Sequence, residues 1–505
     1  MCKMVALSMA DGWARATGQP QYVIVHVDMG TQSLGAAMHN ANTGRVPVLT
    51  FAGLCPYTEE GSEGSRTEYQ HWLQDIPDQK SIVAGYCRYT GDFRTGRPAY
   101  ITGAREVLAE KIEQPYTINT KMHTTIGPAA LPQDAVETIV ESLIVKLAEA
   151  IPGLRVLDTG GSDMCFSADH PSYVGFRLSF DEVTTKADVI LVLDCDVPWI
   201  PSRNHPREDA KIYYVDVDPL NASIGFSFFP ANGRWKAESY TAIAQLNCHL
   251  SSTPELRNTL KDENYKHRWG NLQKTYSAKV ESLSKLSTPA PNGPLDIHHI
   301  GLALKTAVPR DIIFVVEAAT CAMSLSDQLQ VNIPGSWINS GGAGLGWSGG
   351  AALGVNLAYN SAGSPKFICQ VVGDGCFLFS EPSSVYWIAS RYNIPVLTIM
   401  LNNKGWNAPR RSHELVHPKG LGATATNKEM HISLDPSPDY GGIAKAAAGS
   451  TFGATGEGLF TGKARTVDEL KLLLEQAVAS VKSGKGALIE AVLAVDEKGD
   501  SRIQK

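Results

Sequence analysis

The chain has 505 residues, 43% of them hydrophobic and 19% charged, with a net charge of −6, which is typical of a globular protein of about three domains at roughly 150 residues each. The weakly acidic balance gives no electrostatic reason to bind nucleic acid or an anionic membrane surface, and no apolar run approaches the roughly 20 residues of a membrane-spanning helix. The nine cysteines include no CxxC pair, so we expect reduced thiols, no zinc site and a cytoplasmic protein.

The first predicted element is a helix that begins within the first few residues. Val5, Met9 and Trp13 recur every four residues, as on one face of a helix. Gly18 stands where a helix ends, and Pro20 prevents its continuation. The apolar run YVIVHVD follows at once and predicts a strand. The sequence therefore opens inside a helix that leads into a strand.

Short apolar runs of strand length occur throughout the chain. They are apolar at every position rather than alternating, as expected for parallel strands covered by helices on both faces. We therefore predict an α/β fold of three doubly wound parallel-sheet domains. The predicted strands are 22–28, 46–53, 98–104, 154–160, 188–196, 211–219, 311–319, 366–374 and 394–403.

Two segments rich in proline and glycine predict the domain boundaries. They are TTIGPAALPQD at 124–134 and LSTPAPNGPLD at 286–296, and a new helical pattern follows each. The predicted domains are 1–127, 128–291 and 292–505. In doubly wound sheets, ligands bind beyond the carboxyl ends of the strands, so we looked for reactive side chains there.

Two strand ends carry the strongest chemical signal. One strand ends in Gly373-Asp374-Gly375, and after 26 residues a second strand ends in Asn402-Asn403. A βαβ unit of this length places both strand ends at the same edge of a sheet. Oxygen ligands of this kind suit Mg²⁺ or Ca²⁺, of which Mg²⁺ commonly also binds phosphate, and a helix start offers N–H groups to an anion. Each piece taken alone also fits a simple Asx turn.

In these stretches the sequence resembles the thiamine-diphosphate-dependent enzymes. It is most similar to the acetolactate synthase and benzoylformate decarboxylase branch, and especially to acetolactate-synthase-like proteins of fungi. The resemblance rests on GDG…NN (373–403), MADGWARATG (9–18), RVPVLTFAG (45–53), ADHPSYVG (168–175) and SGGAGLGWSGGAALG (340–354). It covers all three predicted domains, which it identifies as pyrimidine-binding, central and diphosphate-binding.

The resemblance implies a ligand set for the metal and the cofactor. Asp374 and Asn403 would bind Mg²⁺ through their side chains, and Gly405 through its carbonyl oxygen. Leu345 matches the large apolar residue that forces the cofactor into its V-shaped conformation. The implied cofactor-binding residues are Gly30, Thr320, Gly344, Leu345, Gly373, Asp374, Gly375, Cys376, Asn403 and Trp406.

The resemblance also implies catalytic candidates in the first domain. Gln74, in WLQD, resembles the glutamine of the family motif FQE at the mouth of the active site. His71, one helical turn earlier, is a candidate proton donor, and the alternative is a surface or packed histidine.

Residues 344–349 also fit GxGxxG, the dinucleotide-binding fingerprint. That fingerprint directly follows a buried strand, and an acidic residue stands about 20 positions later. The preceding stretch GSWINSGGAG does not predict a strand, and no Asp or Glu lies between residues 328 and 373. We therefore do not expect NAD to bind here.

The chain departs from the family at the start of the first helix. Six residues before Met9 it has Lys3, where the family has a glutamate that hydrogen-bonds the pyrimidine ring of the cofactor and activates it. An ammonium group has no lone pair with which to share that proton. The family residues that precede this helix are absent too, and a mitochondrial presequence would be absent with them.

Two further stretches are shorter than in the family. FRTGRPAY lacks a helix between Gly96 and Arg97, and the stretch 145–160 lacks a strand and a helix. The shortened central domain argues against FAD, which true acetolactate synthases carry. Two explanations stay open, namely an incomplete or misspliced coding sequence of a normal enzyme, or a paralogue that has lost carbanion chemistry.

The resemblance implies an enzyme that uses Mg²⁺ and thiamine diphosphate. It would cleave or join a carbon–carbon bond next to a ketone, as a 2-keto acid decarboxylase or an acetolactate-synthase-like carboligase. The alternative is a catalytically silent homologue that acts through cofactor binding or assembly. The family also implies a homodimer or homotetramer, because its cofactor lies between two subunits. The sequence does not identify the 2-keto acid.

Overall fold

The computed structural model describes residues 2–87, 98–114, 129–136, 153–160, 163–164, 166–220, 229–289, 292–450 and 458–500. Its strands, in chain order, are β1 Gln21–Val25, β2 Val48–Leu54, β3 Ala99–Ala104, β4 Val156–Asp158, β5 Tyr173–Phe176, β6 Val189–Leu193, β7 Lys211–Asp216, β8 Gly233–Lys236, β9 Ile313–Glu317, β10 Trp337–Asn339, β11 Ile368–Gly373, β12 Leu397–Asn402, β13 Phe460–Ala464 and β14 Ala487–Val492.

The described α-helices are numbered in the same way. They are α1 Lys3–Thr17, α2 Met29–Gln32, α3 Gly35–Thr43, α4 Gln70–Leu73, α5 Ser81–Ala84, α6 Arg105–Ala109, α7 Val183–Lys186, α8 Pro201–Asn204, α9 Ser239–Ser252, α10 Pro254–Thr259, α11 Glu263–Leu286, α12 Ile297–Ala307, α13 Ala322–Leu329, α14 Trp347–Ser361, α15 Asp374–Phe379, α16 Pro382–Arg391, α17 Asn407–Val416, α18 Tyr440–Ala448 and α19 Val467–Lys482. None of these helices combines the length and the apolar character needed to span a membrane.

The largest sheet lies in the third predicted domain and has six strands. Their order is β10-β9-β11-β12-β14-β13, and every pair is parallel. The chain passes from β9 to β10 at one edge and then places β11 on the other side of β9. The strand order therefore reverses between β9 and β11, and ligands of doubly wound sheets bind at the carboxyl ends of strands at such a reversal. The predicted fold class is confirmed.

The first predicted domain contributes a second parallel sheet, β1-β2-β3. The opening helix α1 ends as predicted, because Gly18 is left-handed with φ 67° and donates its N–H to the Ala14 carbonyl at 2.7 Å. Leu7 of α1 is fully buried in one apolar cluster with Leu34 and Met38. On another side, α1 packs along α14.

The chain forms two compact units. One comprises Met1–Tyr116, Gly161–Cys165 and Leu286–Lys505 and contains both sheets described above. The other comprises Thr117–Gly160 and Phe166–Lys285 and contains two small parallel sheets, β4-β5 and β6-β7-β8. The first and third predicted domains thus belong to one unit.

Several sequence predictions concern residues outside the described part of the chain. The boundary at residue 127 is one, the junction between residues 96 and 97 is another, and the first part of the stretch 145–160 is a third. The division into three domains therefore stays a prediction.

All nine predicted strands are present, and five further strands, β5, β8, β10, β13 and β14, were not predicted. Of these, β10 contradicts a stated expectation. It lies within GSWINSGGAG, for which the sequence predicts no strand, and that expectation is wrong. All three of its residues are buried, and they pair in parallel with Phe314, Val315 and Val316 of β9. Three residues are too few to show a periodicity, so the strand is defined by its pairing with β9.

Candidate active site at the strand ends of the large sheet

The two strand ends with the strongest sequence signal lie side by side. β11 and β12 pair in parallel, with Gly373 opposite Leu401. Asp374 begins α15 directly after β11, and Asn403 directly follows β12. The carboxylate and the amide therefore meet at one edge of the sheet, as the spacing predicts.

Asp374, Asn403 and Gly405 bring oxygen atoms together at this edge. Asp374 Oδ1 accepts the N–H of Gly375 at 2.8 Å, and its Oδ2 accepts the N–H of Gly405 at 3.1 Å. One terminal atom of the Asn403 carboxamide lies 2.8 Å from the Gly405 carbonyl oxygen and 3.3 Å from Asp374 Oδ1. In the orientation that satisfies both ends of the amide, this atom is the nitrogen and donates to the two oxygens, while the amide oxygen accepts Asn407 Nδ2–H at 3.1 Å. Rotating the amide by 180° would turn its oxygen towards Asp374 and Gly405 and complete a set of three oxygen ligands for a cation.

These spacings fit Mg²⁺. Neighbouring ligands of an octahedral Mg²⁺, each bound at about 2.1 Å, lie about 3 Å apart. The set contains one carboxylate and two neutral oxygens, which suits Mg²⁺ better than Zn²⁺. Among the described residues, no group of three or more His, Cys, Asp and Glu side chains could hold a metal. The three predicted ligands are thus placed together.

Burial makes the carboxylate of Asp374 sensitive to a cation. The residue is 3% exposed, and burial raises the pKa of its carboxyl group to about 6, although hydrogen bonds from Gly375 and Gly405 oppose the shift. A positive charge close to a buried carboxyl group favours its ionised form. A bound cation would therefore stabilise the ionised form of Asp374.

An ion pair between buried Glu490 and exposed Lys463 supports the loop that carries Asn403 and Gly405. Glu490 of β14 is 3% exposed, accepts Asn402 Nδ2–H at 2.8 Å and pairs with Lys463 Nζ at 2.7 Å. Asn402 Oδ1 accepts the N–H of Lys404 at 3.0 Å and so shapes the turn. The sequence analysis missed Glu490, for which the available signal was a single acid inside the apolar run ALIEAV.

The glycine-rich loop follows β10 and leads into α14. Glu317, the last residue of β9, accepts the N–H of Gly346 at 2.6 Å and the N–H of Ser348 at 2.8 Å. Burial raises the pKa of Glu317 despite these bonds. These N–H groups at the start of α14 already donate to the Glu317 carboxylate. They are therefore not free to bind the pyrophosphate of a dinucleotide. This is a physical reason why GxGxxG does not act as a dinucleotide site here.

The other predicted cofactor residues of this sheet lie around the same edge. The ring of Trp406 lies against Gly375, where a Cβ would be 2.3 Å from it. Cys376 is buried, and burial raises the pKa of its thiol. Thr320 lies in a 3₁₀ turn after β9, and its carbonyl oxygen accepts a hydrogen bond from Arg411 at 3.4 Å.

The predicted residues of the first domain lie beyond the carboxyl ends of the smaller sheet. Gly30 is buried in α2, just after β1. His71 Nδ1 accepts the N–H of Thr67 at 3.1 Å, and its Nε2 lies 3.2 Å from Arg105, so both ring nitrogens have local partners. The buried side-chain oxygen of Gln74 has no hydrogen-bond partner, which fits a residue that meets a ligand. Among the described hydrogen bonds, none joins these three residues to the oxygen cluster.

A buried polar network, which the sequence analysis missed, fixes the loop around Gly30. Gln79 is 4% exposed; it accepts the N–H of Asp28 and donates to the Tyr100 hydroxyl, both at 2.8 Å. The hydroxyls of Thr31 and Tyr100 lie 2.9 Å apart. Because Asp28 and Thr31 flank Gly30, the network holds this loop at the end of β1.

The first helix has no carboxylate at its start. α1 begins at Lys3, and its first turn contains no acidic residue. The departure from the family pattern therefore lies within a regular helix.

The comparisons with known proteins agree with this architecture. The profile of the thiamine pyrophosphate enzyme N-terminal TPP binding domain matches residues 4–82. The profile of the thiamine pyrophosphate enzyme C-terminal TPP binding domain matches residues 317–491. Together they cover half of the chain, and the second match contains the whole oxygen cluster.

Curated relatives have several related activities. The chain is 26% identical over 460 residues to benzoylformate decarboxylase of Pseudomonas aeruginosa, covering 80% of this chain and 78% of the relative. It is 22% identical to the acetolactate synthase large subunit of Haemophilus influenzae, covering 98% and 87%. It is 25% identical to sulfoacetaldehyde acetyltransferase of Roseovarius nubinhibens, covering 96% and 84%.

Solved structures share the fold. The thiamine diphosphate-dependent 4-hydroxybenzoylformate decarboxylase of Rhodococcus jostii RHA1 superposes with a TM-score of 0.71 at 19% identity, covering 98% of this chain and 92% of that chain. Benzoylformate decarboxylase of Polynucleobacter necessarius gives 0.69 at 17% identity, covering 97% and 90%.

Parallel sheets with an acid, an amide and a glycine-rich loop at their strand ends define a cofactor-binding α/β enzyme. The chain belongs to the thiamine pyrophosphate enzyme family, in the branch that contains the acetolactate synthases and benzoylformate decarboxylases.

Proposed function

We propose that the protein is a Mg²⁺-dependent thiamine diphosphate enzyme that cleaves or joins a carbon–carbon bond next to the ketone of a 2-keto acid. The meeting of the Asp374 carboxylate, the Asn403 carboxamide and the backbone of Gly405 at one edge of the sheet carries this proposal. The relatives named benzoylformate decarboxylase and acetolactate synthase support the class of substrate.

In this proposal the residues of the large sheet bind and orient the cofactor. Asp374, Asn403 and Gly405 hold the Mg²⁺ that binds the diphosphate, and Glu490 keeps their loop in shape through Asn402. Thiamine diphosphate, when bound, supplies a nucleophilic carbon and an electron sink next to the ketone. Its diphosphate is the part that the metal holds.

The first domain supplies the side of the site that meets the substrate. The unpartnered side-chain oxygen of Gln74 is the candidate to accept a hydrogen bond there. His71 stays a candidate proton donor, and its contacts with Thr67 and Arg105 favour the alternative of a packed histidine.

We also propose that the protein acts as a homodimer or homotetramer. Near Gln74 the first domain exposes large apolar side chains, and α4 has no buried residue. An apolar patch of this kind marks an interaction surface. The exposed side chains are Tyr57, Tyr69, Trp72 and Leu73.

Calorimetry tests the proposed function. Thiamine diphosphate should bind in Mg²⁺ and not after chelation, and added Mg²⁺ should restore binding. A panel of 2-keto acids, with CO₂ release and NMR detection of the products, then separates decarboxylation from carboligation. Binding without turnover of any 2-keto acid would support the silent homologue, and no Mg²⁺-dependent binding would refute the proposal.

A further inference from the structure

Leu345 stands between two backbone positions that are each fixed by a distant side chain. On its N-terminal side, Asn40 donates from Nδ2 to the Gly344 carbonyl at 2.7 Å, and its Oδ1 accepts the Gly344 N–H at 2.9 Å. On its C-terminal side, Glu317 accepts the N–H of Gly346 at 2.6 Å. We call Asn40 and Glu317 the Leu345 clamp.

Both members of the Leu345 clamp are buried. Asn40 is 0% and Glu317 is 7% exposed, so water does not readily replace either set of hydrogen bonds. The bonds of Glu317 are charge-assisted, which makes them stronger than bonds between neutral groups. The two residues come from different elements, α3 and β9. The clamp therefore holds the loop from two independent sides.

The loop needs such restraint because of its own sequence. SGGAGLG is rich in glycine, and glycine loses more conformational freedom on ordering than any other residue. The loop also lies directly on α3, since a Cβ at Gly344 would be 2.4 Å from the Ala36 carbonyl oxygen. Without the clamp, half-buried Leu345 would sample many positions.

We propose that Asn40 and Glu317 are positioning residues that together place Leu345 against the bound cofactor. This rests on the proposed function, in which Leu345 shapes the thiamine diphosphate. The clamp lowers the entropy lost on binding, because Leu345 is already in place. It acts on the part of the cofactor beyond the diphosphate, since the oxygen cluster serves the diphosphate and the metal.

The test compares two ligands, thiamine diphosphate and inorganic pyrophosphate, each with Mg²⁺. The variants are Asn40→Leu and Glu317→Gln, each alone and combined with Leu345→Ala. Asn42→Leu is the matched control on the same helix. Calorimetry gives the affinities, and circular dichroism checks that each variant is folded.

We expect each clamp variant to weaken thiamine diphosphate about tenfold or more, the scale at which indirect supporting residues act. Pyrophosphate affinity should stay unchanged, and Asn42→Leu should change neither affinity. In the Leu345→Ala background the clamp variants should cause no additional loss, because they act only through Leu345. If Glu317→Gln does not fold, the Asn40→Leu cycle decides alone.

Two results would overturn the clamp. One is an equal loss of affinity for both ligands, and the other is a loss that adds fully to that of Leu345→Ala. In either case the unaltered protein still binds both ligands, so the proposed cofactor site is not refuted. If the unaltered protein binds neither ligand, the proposed function itself fails.

Discussion

Gly354 of α14 lies directly against the carbonyl oxygen of Met9 in α1, since a Cβ at residue 354 would be 2.0 Å from it. Gly12 of α1 makes the reciprocal approach, with its Cβ position 2.3 Å from the Ala351 carbonyl oxygen. The two helices therefore touch backbone to backbone. This contact joins the first and third predicted domains within one compact unit.

We expect Gly354→Ala to destabilise this unit by about 1–3 kcal/mol, because the added methyl group must push two backbones apart. Gly35→Ala, in the same unit, is the control, since a Cβ at Gly35 meets no atom within 4 Å. Thermal unfolding followed by circular dichroism gives the comparison. Equal melting temperatures for the two variants would contradict the close crossing of α1 and α14.

The second prediction concerns the charge at the oxygen cluster. Asp374→Ala should abolish Mg²⁺-dependent binding of thiamine diphosphate, because it removes the only carboxylate among the three predicted ligands. The fold should persist, because burial already disfavours the ionised form of the Asp374 carboxyl group and raises its pKa. Removing this group therefore removes an unfavourably buried charge. Calorimetry and thermal unfolding measure both effects, with Glu381→Ala as an exposed control. Unchanged cofactor affinity in Asp374→Ala would place the metal elsewhere.

The sequence predicts this cluster because a local rule determines it. The βαβ connection between Asp374 and Asn403 forces both strand ends to one edge of the sheet. No such rule relates Asn40 to Gly344, which are 304 positions apart, or Asn402 to Glu490, which are 88 apart. Those contacts depend on how helices pack and on strand register, which the periodicity of a sequence does not determine.

The same reasoning explains why the sequence does not predict β10. A long apolar run predicts a buried strand by itself. β10 has only three residues, Trp337–Asn339, and is a strand because it pairs with β9. Gln79 carries no sequence signal that distinguishes it from other polar residues of a loop-like stretch. Only the packing shows that Gln79 is buried in a hydrogen-bond network.

The third prediction tests the support of the metal loop. Glu490→Gln should lower the affinity for Mg²⁺ and cofactor by about 10- to 100-fold, because the neutral amide holds Asn402 less firmly and leaves Lys463 without its charged partner. Lys463→Met should give a smaller loss, since it keeps the hydrogen bond between Glu490 and Asn402. A Mg²⁺ titration at fixed cofactor measures both. The proposed role is wrong if Glu490→Gln binds like the unaltered protein.

The fourth prediction concerns assembly. Leu73→Asp should convert the oligomer to monomer, because a desolvated carboxylate without a partner opposes burial in an apolar interface. Leu472→Asp is the matched control, since Leu73 and Leu472 are both 58% exposed. Size exclusion with light scattering, in the presence of cofactor, gives the molar mass. An unaltered protein that is monomeric at 54.4 kDa would refute the assembly.

The last prediction returns to the start of α1. Because Lys3 cannot share a proton with the pyrimidine nitrogen of the cofactor, we expect bound thiamine diphosphate to exchange its C2 hydrogen slowly in the unaltered protein. Lys3→Glu should raise this rate by about 10²- to 10⁴-fold, the usual contribution of a positioned acid–base group.

NMR of hydrogen–deuterium exchange at C2, with Mg²⁺ saturating, measures the rate, and calorimetry confirms that every variant is loaded with cofactor. Lys3→Gln is the control, because it removes the positive charge without supplying a carboxylate, and its exchange should stay slow. Fast exchange in the unaltered protein would show that Lys3 does not occupy the position of the activating glutamate. Slow exchange in Lys3→Glu, with cofactor bound, would show that this one side chain is not what limits activation.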